Sequence, residues 1–316
     1  MRREDIVTLT LPTTFPVGPV NAYLVRGERL TLVDAGMQTD SGWESLTRQL
    51  AAAGAAPADL ELILLTHGHV DHVGYAGRLA ECSGAPIGAH PLVAEQTLAP
   101  AETAGESARF IHAVLCEMGL PEEYLEACLA ARKSFAELGL HNPVSVVLED
   151  ESHCAGFTAY HVPGHSATDT LLVDAASGIA FTGDHILKSI HPNPMIRRPK
   201  PGHPRAKSLL EYHQSLLHTR SLDLSVCFTG HGQPLEDHRA AIDTNLARQE
   251  RKVADIIAIL AEGVINPYQL ARRLFPKTRP EYLYPALSVA VGYLEMIESR
   301  GAARSEHRDG VLWFFP

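Results

Sequence analysis

Four side chains able to hold a metal ion fall within six residues, His67-Gly68-His69-Val70-Asp71-His72. Three imidazoles and a carboxylate suit Zn²⁺, Fe²⁺ or Mn²⁺, which accept nitrogen and oxygen donors. A chance cluster explains them poorly: in a chain of this length with 17 His, the pattern should arise by accident in roughly 2 of 1000 cases. Three later segments place a donor directly after a glycine that follows strand-like residues: Pro163-Gly164-His165-Ser166, Thr182-Gly183-Asp184-His185 and Thr229-Gly230-His231-Gly232. The recurrence of that arrangement is the strongest signal in the chain. Gly68 and Gly74 would permit tight backbone turns around the first cluster.

These donors need strands that end at one place. Ile6–Leu11 alternates with period two, and Asn21–Val25 and Leu30–Val33 read as short strands, the last ending at Asp34-Ala35-Gly36. Trp43–Ala53 reads as a helix closed by Gly54. Leu60–Leu65 is a continuous apolar run that stops abruptly at Thr66-His67. From Pro91 to Leu140 the pattern is helical, an insertion or cap expected to cover the site, with Phe110, Ile111, Val114, Leu115 and Met118 as an apolar wall or an ordinary helix core. Strand patterning returns at Phe157–His161, Thr170–Asp174, Ile179–Phe181 and Leu224–Phe228, and Ala206–Leu217 reads as a helix.

Beyond His231 the texture changes. Asp237–Leu260 is a long amphipathic helix with Ile242, Leu246, Val253, Ile256, Ile257 and Leu260 near one face. Asn266-Pro267 predicts an N-cap and first-turn proline for a short helix to Phe275. Tyr284–Ser299 is a further helix. Ala303–His307 and Val311–Phe315 form a hairpin around Asp309-Gly310. That order is the order of a winged-helix module, and places a boundary near residue 240 between residues 1–240 and 241–316.

Composition narrows the setting. A net charge of −10 gives no general attraction for phosphate backbones. Arg197, Arg198, Lys200, Arg205 and Lys207 make one basic run, expected to be a solvated loop. Five scattered cysteines without a Cys-x-x-Cys spacing read as reduced thiols. With no signal-peptide pattern and no run of 18 apolar residues, the expected setting is cytoplasmic and away from membranes.

His67-x-His69-x-Asp71-His72 followed by His165, Asp184 and His231 resembles the metallo-β-lactamase superfamily over about residues 5–240. The resemblance implies a mixed α/β fold, an αββα sandwich, with two divalent ions, Zn²⁺ first among the candidates, at one edge of its two sheets. His67, His69 and His165 would hold one ion, and Asp71, His72 and His231 the other. Asp184 would bridge them, with Asp34 supporting the second position. The tail is similar to the winged-helix-like extension of some members, including endoribonuclease-like and acyl-carrier thioesterase-like branches. Gly183-Asp184-His185-Ile186-Leu187 with Pro192-Asn193-Pro194 resembles that extended branch too. One departure stands out: relatives often continue the third motif as Pro-Gly-His-Ser-x-Gly-His, whereas this chain has Ala167-Thr168-Asp169, a change expected to bear on substrate fit more than on metal binding.

The expected chemistry is hydrolysis of an acyl bond (ester, thioester or lactone) in a small molecule or acyl conjugate by a metal-bound hydroxide. No Gly-x-Ser-x-Gly elbow competes for the role of nucleophile, and Ser166 has no sign of a triad. Asp71 is the candidate acceptor of the nucleophile's proton. His185 either protonates the leaving group or supports the site by a hydrogen bond. His161, His191, His203, Tyr160 and Lys188 are weaker candidates for substrate contact, with packing or surface roles favoured. A metal-dependent ribonuclease or phosphodiesterase is the alternative, since the fold accommodates both and a two-metal centre suits phosphate. A DNA-binding regulator on an inactive scaffold would predict lost ligands, and none is lost. A single-iron enzyme oxidising a sulfur substrate is disfavoured by the complete second set. A homodimer is compatible with the sequence.

Overall fold

Strand alternation dictates the architecture. In the computed structural model, which describes residues 1–97, 101–137, 139–140, 142–188, 190–199 and 202–316, β1 (Ile6–Leu11), β2 (Val20–Arg26) and β3 (Leu30–Val33) form an antiparallel meander. The chain then returns through α1 (Gly42–Ala52) to β4 (Leu62–Leu64), which pairs parallel with β3. After α2 (Val70–Val73) and α3 (Ala76–Ser83), β5 (Ile87–Ala89) and β6 (Val146–Val147) extend the parallel half, giving a six-stranded sheet in sequence order. Between them lie α4 (Pro91–Thr97), α5 (Ala101–Glu117) and α6 (Glu122–Glu137). The second sheet has the order β11-β10-β9-β8-β7, built from β7 (His153–Cys154), β8 (Phe157–His161), β9 (Thr170–Asp174), β10 (Ile179–Gly183) and β11 (Val226–Thr229).

The two faces of the first sheet bury different partners, as the period of two requires. Val20, Ala22 and Leu24 of β2 and Ile63 of β4 pack with Leu46 and Leu50 of α1 and Ala76 and Leu79 of α3. Tyr23, Val25, Leu62 and Leu64 point the other way, against Phe157, Leu172, Phe181 and Phe228 of the second sheet. This explains the continuous apolar run into Thr66: a central strand covered on both faces has no polar side. The fold is thus the two-sheet α/β sandwich expected.

The chain divides into two compact units, Met1–Leu98 with Ala136–Pro192 and Ser215–Ile242, and Ala99–Phe135 with Asn193–Gln214 and Asp243–Pro316. The first holds both sheets. The second holds α5, most of α6, the start of α7 (Ser208–Ser221), most of α8 (His238–Ala261), α9 (Pro267–Leu274), α10 (Leu283–Ser299), and the hairpin of β12 (Arg304–Arg308) and β13 (Val311–Phe315). Asn266 caps α9 reciprocally with Gln269, as its position before Pro267 implies. Asp309 and Gly310 both have positive φ, 50° and 79°, the geometry of a tight two-residue hairpin turn.

Some expectations need correction. Ile257 of α8 is exposed, and the buried stripe runs instead through Ile242, Asn245, Gln249, Val253, Ile256 and Leu260. Two polar residues sit in that stripe because they satisfy each other: Gln249 Nε2 donates to Asn245 Oδ1, whose amide donates to the Tyr212 hydroxyl. The helical stretch after Pro91 is three helices, with Leu98 to Pro100, Leu138 and His141 outside the described residues. Ile111, Val114 and Leu115 are buried on α5 and Met118 directly after it, and α5 packs against β13, so they serve an ordinary core.

Candidate metal centre

All seven candidate ligands lie in the unit that holds the two sheets, on loops that leave strand ends. His67 and His69 follow β4, and Asp71 and His72 lie in α2. His165 lies between β8 and β9, Asp184 directly follows β10, and His231 follows β11. Their donor atoms form three overlapping groups, His67/His69/His165, His67/His72/Asp184 and Asp71/His72/His231, with atoms within 4.8 Å of one another in each.

Hydrogen bonds at the far side of the His72 and His231 rings aim their donors. Asp34, at the end of β3, accepts from Thr66 N at 2.8 Å and from the Thr66 hydroxyl, and its Oδ2 accepts from His72 Nδ1 at 2.8 Å. That leaves His72 Nε2 facing Asp184 Oδ1 at 3.5 Å. His231 Nδ1 donates to the Pro19 carbonyl at 2.7 Å, turning Nε2 towards Asp71 at 3.4 Å and Asp184 at 3.5 Å. Asp34 adopts φ 59°, a left-handed conformation that Asp tolerates better than most residues. The α2 segment is tied to the same turn, because Ala35 N donates to the His72 carbonyl.

Glycine is required where the two sheets' loops meet. A Cβ on Gly230 would lie 2.3 Å from Asp184 Oδ1 and 2.6 Å from His72 Cε1. One on Gly183, at φ 47°, would lie 2.4 Å from the Thr66 hydroxyl. Any side chain there would displace donors from the centre.

The donor set fits divalent cations. Nε2 of His67, His72 and His231 and Oδ1 of Asp184 are buried without a hydrogen-bond partner among the described residues, a costly condition for polar atoms unless a charge is shared among them. Burial, then the neighbouring His72 and His69, holds His67 well below the usual imidazole range, and burial with His165 brings His69 down to about 3. Against the cost of burial, the carboxylates of Asp34, Asp184 and Asp71 push His72 well up, and Asp184 and Asp71 raise His231 to about 9. Asp71 and Asp184 are lowered despite burial by the same partners. The second protons of His72 and His231 are therefore favoured by the neighbouring carboxylates, and a cation would compete with those protons. His165 Nε2 and His69 Nδ1 lie 2.9 Å apart, two ring nitrogens converging on one point.

His185 is fully buried, and its Nε2 shares a hydrogen bond with the Thr219 hydroxyl at 2.9 Å. Burial, with His165 and His218 nearby, brings its pKa down to about 3, which favours the neutral ring with a single N–H over the imidazolium at neutral pH. That geometry suits support of the site. His161 stacks on His90, with centroids 4.1 Å apart, and its Nε2 donates to the Ala167 carbonyl. Tyr160 lies against His218. His191 and Lys188 lie on the segment after Asp184, with Lys188 exposed, and His203 is exposed in the second unit.

The sequence assigned no supporting role to Asn21, and pointed Thr168 and Asp169 towards substrate fit and not towards the ligand loops. Asn21 is buried on β2, and its amide donates to the carbonyls of Thr229 and Gly232 on either side of His231. Its strand position was legible, but a bond spanning 208 residues was not. Thr168 and Asp169 are also buried, within the loop whose departure from relatives was expected to bear on substrate.

Comparison with known proteins agrees with this geometry. The family model of the metallo-beta-lactamase superfamily matches residues 15–231. The probable metallo-hydrolase YqjP of Bacillus subtilis (strain 168) is 29% identical, over 99% of this chain and 98% of its own. A beta-lactamase-like protein 2 homolog of Drosophila melanogaster is 24% identical over 93% of this chain and 87% of its own. Among solved structures, a metallo-beta-lactamase family protein from Thermus thermophilus superposes with a TM-score of 0.81 at 25% identity, covering 99% of this chain and 98% of that one. A beta-lactamase domain protein from Burkholderia ambifaria shares the fold with a TM-score of 0.78 at 20% identity, covering 100% and 94%.

Proposed function

The chain belongs to the metallo-β-lactamase superfamily and is a metallo-hydrolase with a His/Asp metal-binding cluster, and from that premise we propose that it cleaves an acyl bond in a small molecule or acyl conjugate. The observation that carries the metal reading is the group of buried donor atoms left without hydrogen-bond partners among the described residues at one sheet edge. His67, His69 and His165 would hold one divalent ion and Asp71, His72 and His231 a second, with Asp184 available to both sets; Zn²⁺ would suit these nitrogen and oxygen donors. Such ions supply Lewis acidity towards the substrate oxygen and make water a stronger acid at neutral pH.

The chain's own groups do the rest. Asp71 takes up the proton of the attacking water at its carboxylate, which His72 and His231 keep ionised. Asp34 fixes the His72 ring through Nδ1, and the Pro19 carbonyl fixes His231. His185, joined to Thr219, is a positioning residue behind Asp184.

An acyl substrate is favoured over a nucleic acid by the fate of the basic run. Arg197 pairs with Glu211, Arg198 with Glu106, Arg205 with Glu295 and Lys207 with Glu298; Lys200 lies outside the described residues. Those charges are neutralised within the protein, and the net charge is −10. The C-terminal helices and hairpin form a winged-helix-like module. The five cysteines are unbridged and no described helix is long and apolar enough to cross a membrane, which supports a cytoplasmic setting.

The test is turnover of an acyl thioester, an aliphatic lactone and bis(p-nitrophenyl) phosphate by the metal-loaded chain beside Asp71→Ala. Metal-dependent acyl cleavage lost in the variant supports the reading. Preference for the phosphodiester overturns it and makes RNA cleavage the next assay.

A further inference from the structure

In the third ligand loop Ser166, Thr168 and Asp169 are buried, and Thr168 is bonded to the first ligand loop. Gly68 N, between His67 and His69, donates to the Thr168 hydroxyl at 2.9 Å. The Thr168 hydroxyl lies 3.1 Å from the Ser166 hydroxyl, which in turn donates to Asp169 Oδ1 at 2.7 Å. Because the Ser166 proton is committed to the carboxylate, the Thr168 hydroxyl must be the donor between the two. The chain of bonds therefore runs one way, from Gly68 N–H through Thr168 and Ser166 to the Asp169 carboxylate, and such aligned chains strengthen each member. Asp169 Oδ2 also accepts from Ser166 N at 2.7 Å, so both carboxylate oxygens are used.

The loop is anchored on its other sides as well. Thr170 N donates to the Thr66 carbonyl at 2.8 Å, and the Ala167 carbonyl accepts from His161, which stacks on His90. Thr168 and Asp169 are 3% and 2% exposed, too buried to meet substrate. These residues thus act between the ligand loops themselves.

We propose that Ser166, Thr168 and Asp169 are positioning residues, a relay that fixes the His165 ring against the His67-Gly68-His69 loop and sets the affinity of that half of the centre for its ion. The inference rests on the two-ion reading above. It is specific, because the hydrogen bonds of the relay join the loops of His67, His69 and His165 and do not involve Asp71, His72 or His231.

The test is chelator competition on the full zinc-loaded chain, with cobalt substitution as a spectroscopic readout. Thr168→Val removes the hydroxyl while keeping the branched shape. It should weaken one of two zinc equivalents about 10–100-fold, leave the other within about threefold, and alter one of two cobalt absorption components. Thr168→Ser restores the hydroxyl and should restore the affinity. Ser166→Ala interrupts the same relay one link further on and should match Thr168→Val, which keeps the test open should one variant fold poorly. Native affinity for both equivalents in Thr168→Val and Ser166→Ala overturns the proposal, as does equal weakening of both ions or failure of Thr168→Ser to rescue. If the native chain itself holds fewer than two zinc equivalents, the two-ion reading fails instead, and the two failures are distinguishable.

Discussion

Two regions of this chain bury polar groups, and they do so in opposite ways. Around α7 and α8 the partners are complete: Tyr212, Asn245, Gln249 and His213 form a connected series, and Glu295 meets Arg205. At the sheet edge, Nε2 of His67, His72 and His231 and Oδ1 of Asp184 have no hydrogen-bond partner among the described residues. Residue types alone do not separate these regions, since both contain histidine and carboxylate. The unmet atoms do. Satisfied buried groups hold a fold together, whereas converging unsatisfied donors mark a site that another species must complete.

The comparison breaks if both regions respond alike to metal. The largest expected effect is therefore chelation. Stripping the ions should lower kcat/KM by about 10⁴-fold, equivalent to about 5 kcal/mol, with recovery on adding zinc. Asp71→Asn keeps the volume of the side chain and removes its capacity to take a proton, and should lower kcat by about 10³-fold beyond any loss of metal, measured at saturating zinc. Full rate with full metal content would sink that role.

On the structural side, Glu295→Ala should cost about 3 kcal/mol in urea unfolding by leaving Arg205 without its buried partner, while the zinc affinity stays unchanged. Asp34→Asn sharpens the contrast from the other direction. An asparagine amide would present a donor to either Thr66 or His72, so zinc affinity should fall about 10–100-fold.

The smallest effect concerns the exposed pair Arg300 and Glu250, bonded at 2.7 Å. The Arg300 guanidinium holds the Glu250 carboxyl below its ordinary range. A lowered folded-state pKa contributes stability that is present above the unfolded value near 4.5 and is lost as pH falls through the folded one. Arg300→Ala should therefore cost under about 1 kcal/mol at pH 7, with the difference shrinking below pH 4.5. A constant difference across that range would contradict it.

Much of the catalytic unit was legible before folding. The strands β1, β3, β8 and β9 fall at the residues their alternation marks, and the seven ligand candidates converge. What alternation could not mark were β5, β6 and β7, each two or three residues long and too short to show a period. The supporting bonds were less legible still. The role of Asp34 followed from the family resemblance, but the link from Gly68 to Thr168 spans 100 residues and depends on two loops meeting. In α8, Ile257 continued the apolar stripe by type, yet Asn245 and Gln249 take the buried face because their amides find partners there.

The most direct test of the account is a count of zinc ions per chain in the native protein and in His69→Ala and His231→Ala, by elemental analysis after equilibrium dialysis. Two ions in the native chain, and one in each variant, is the predicted result. One ion or none in the native chain, or variants that each keep two, would contradict a centre built from two sets of donors.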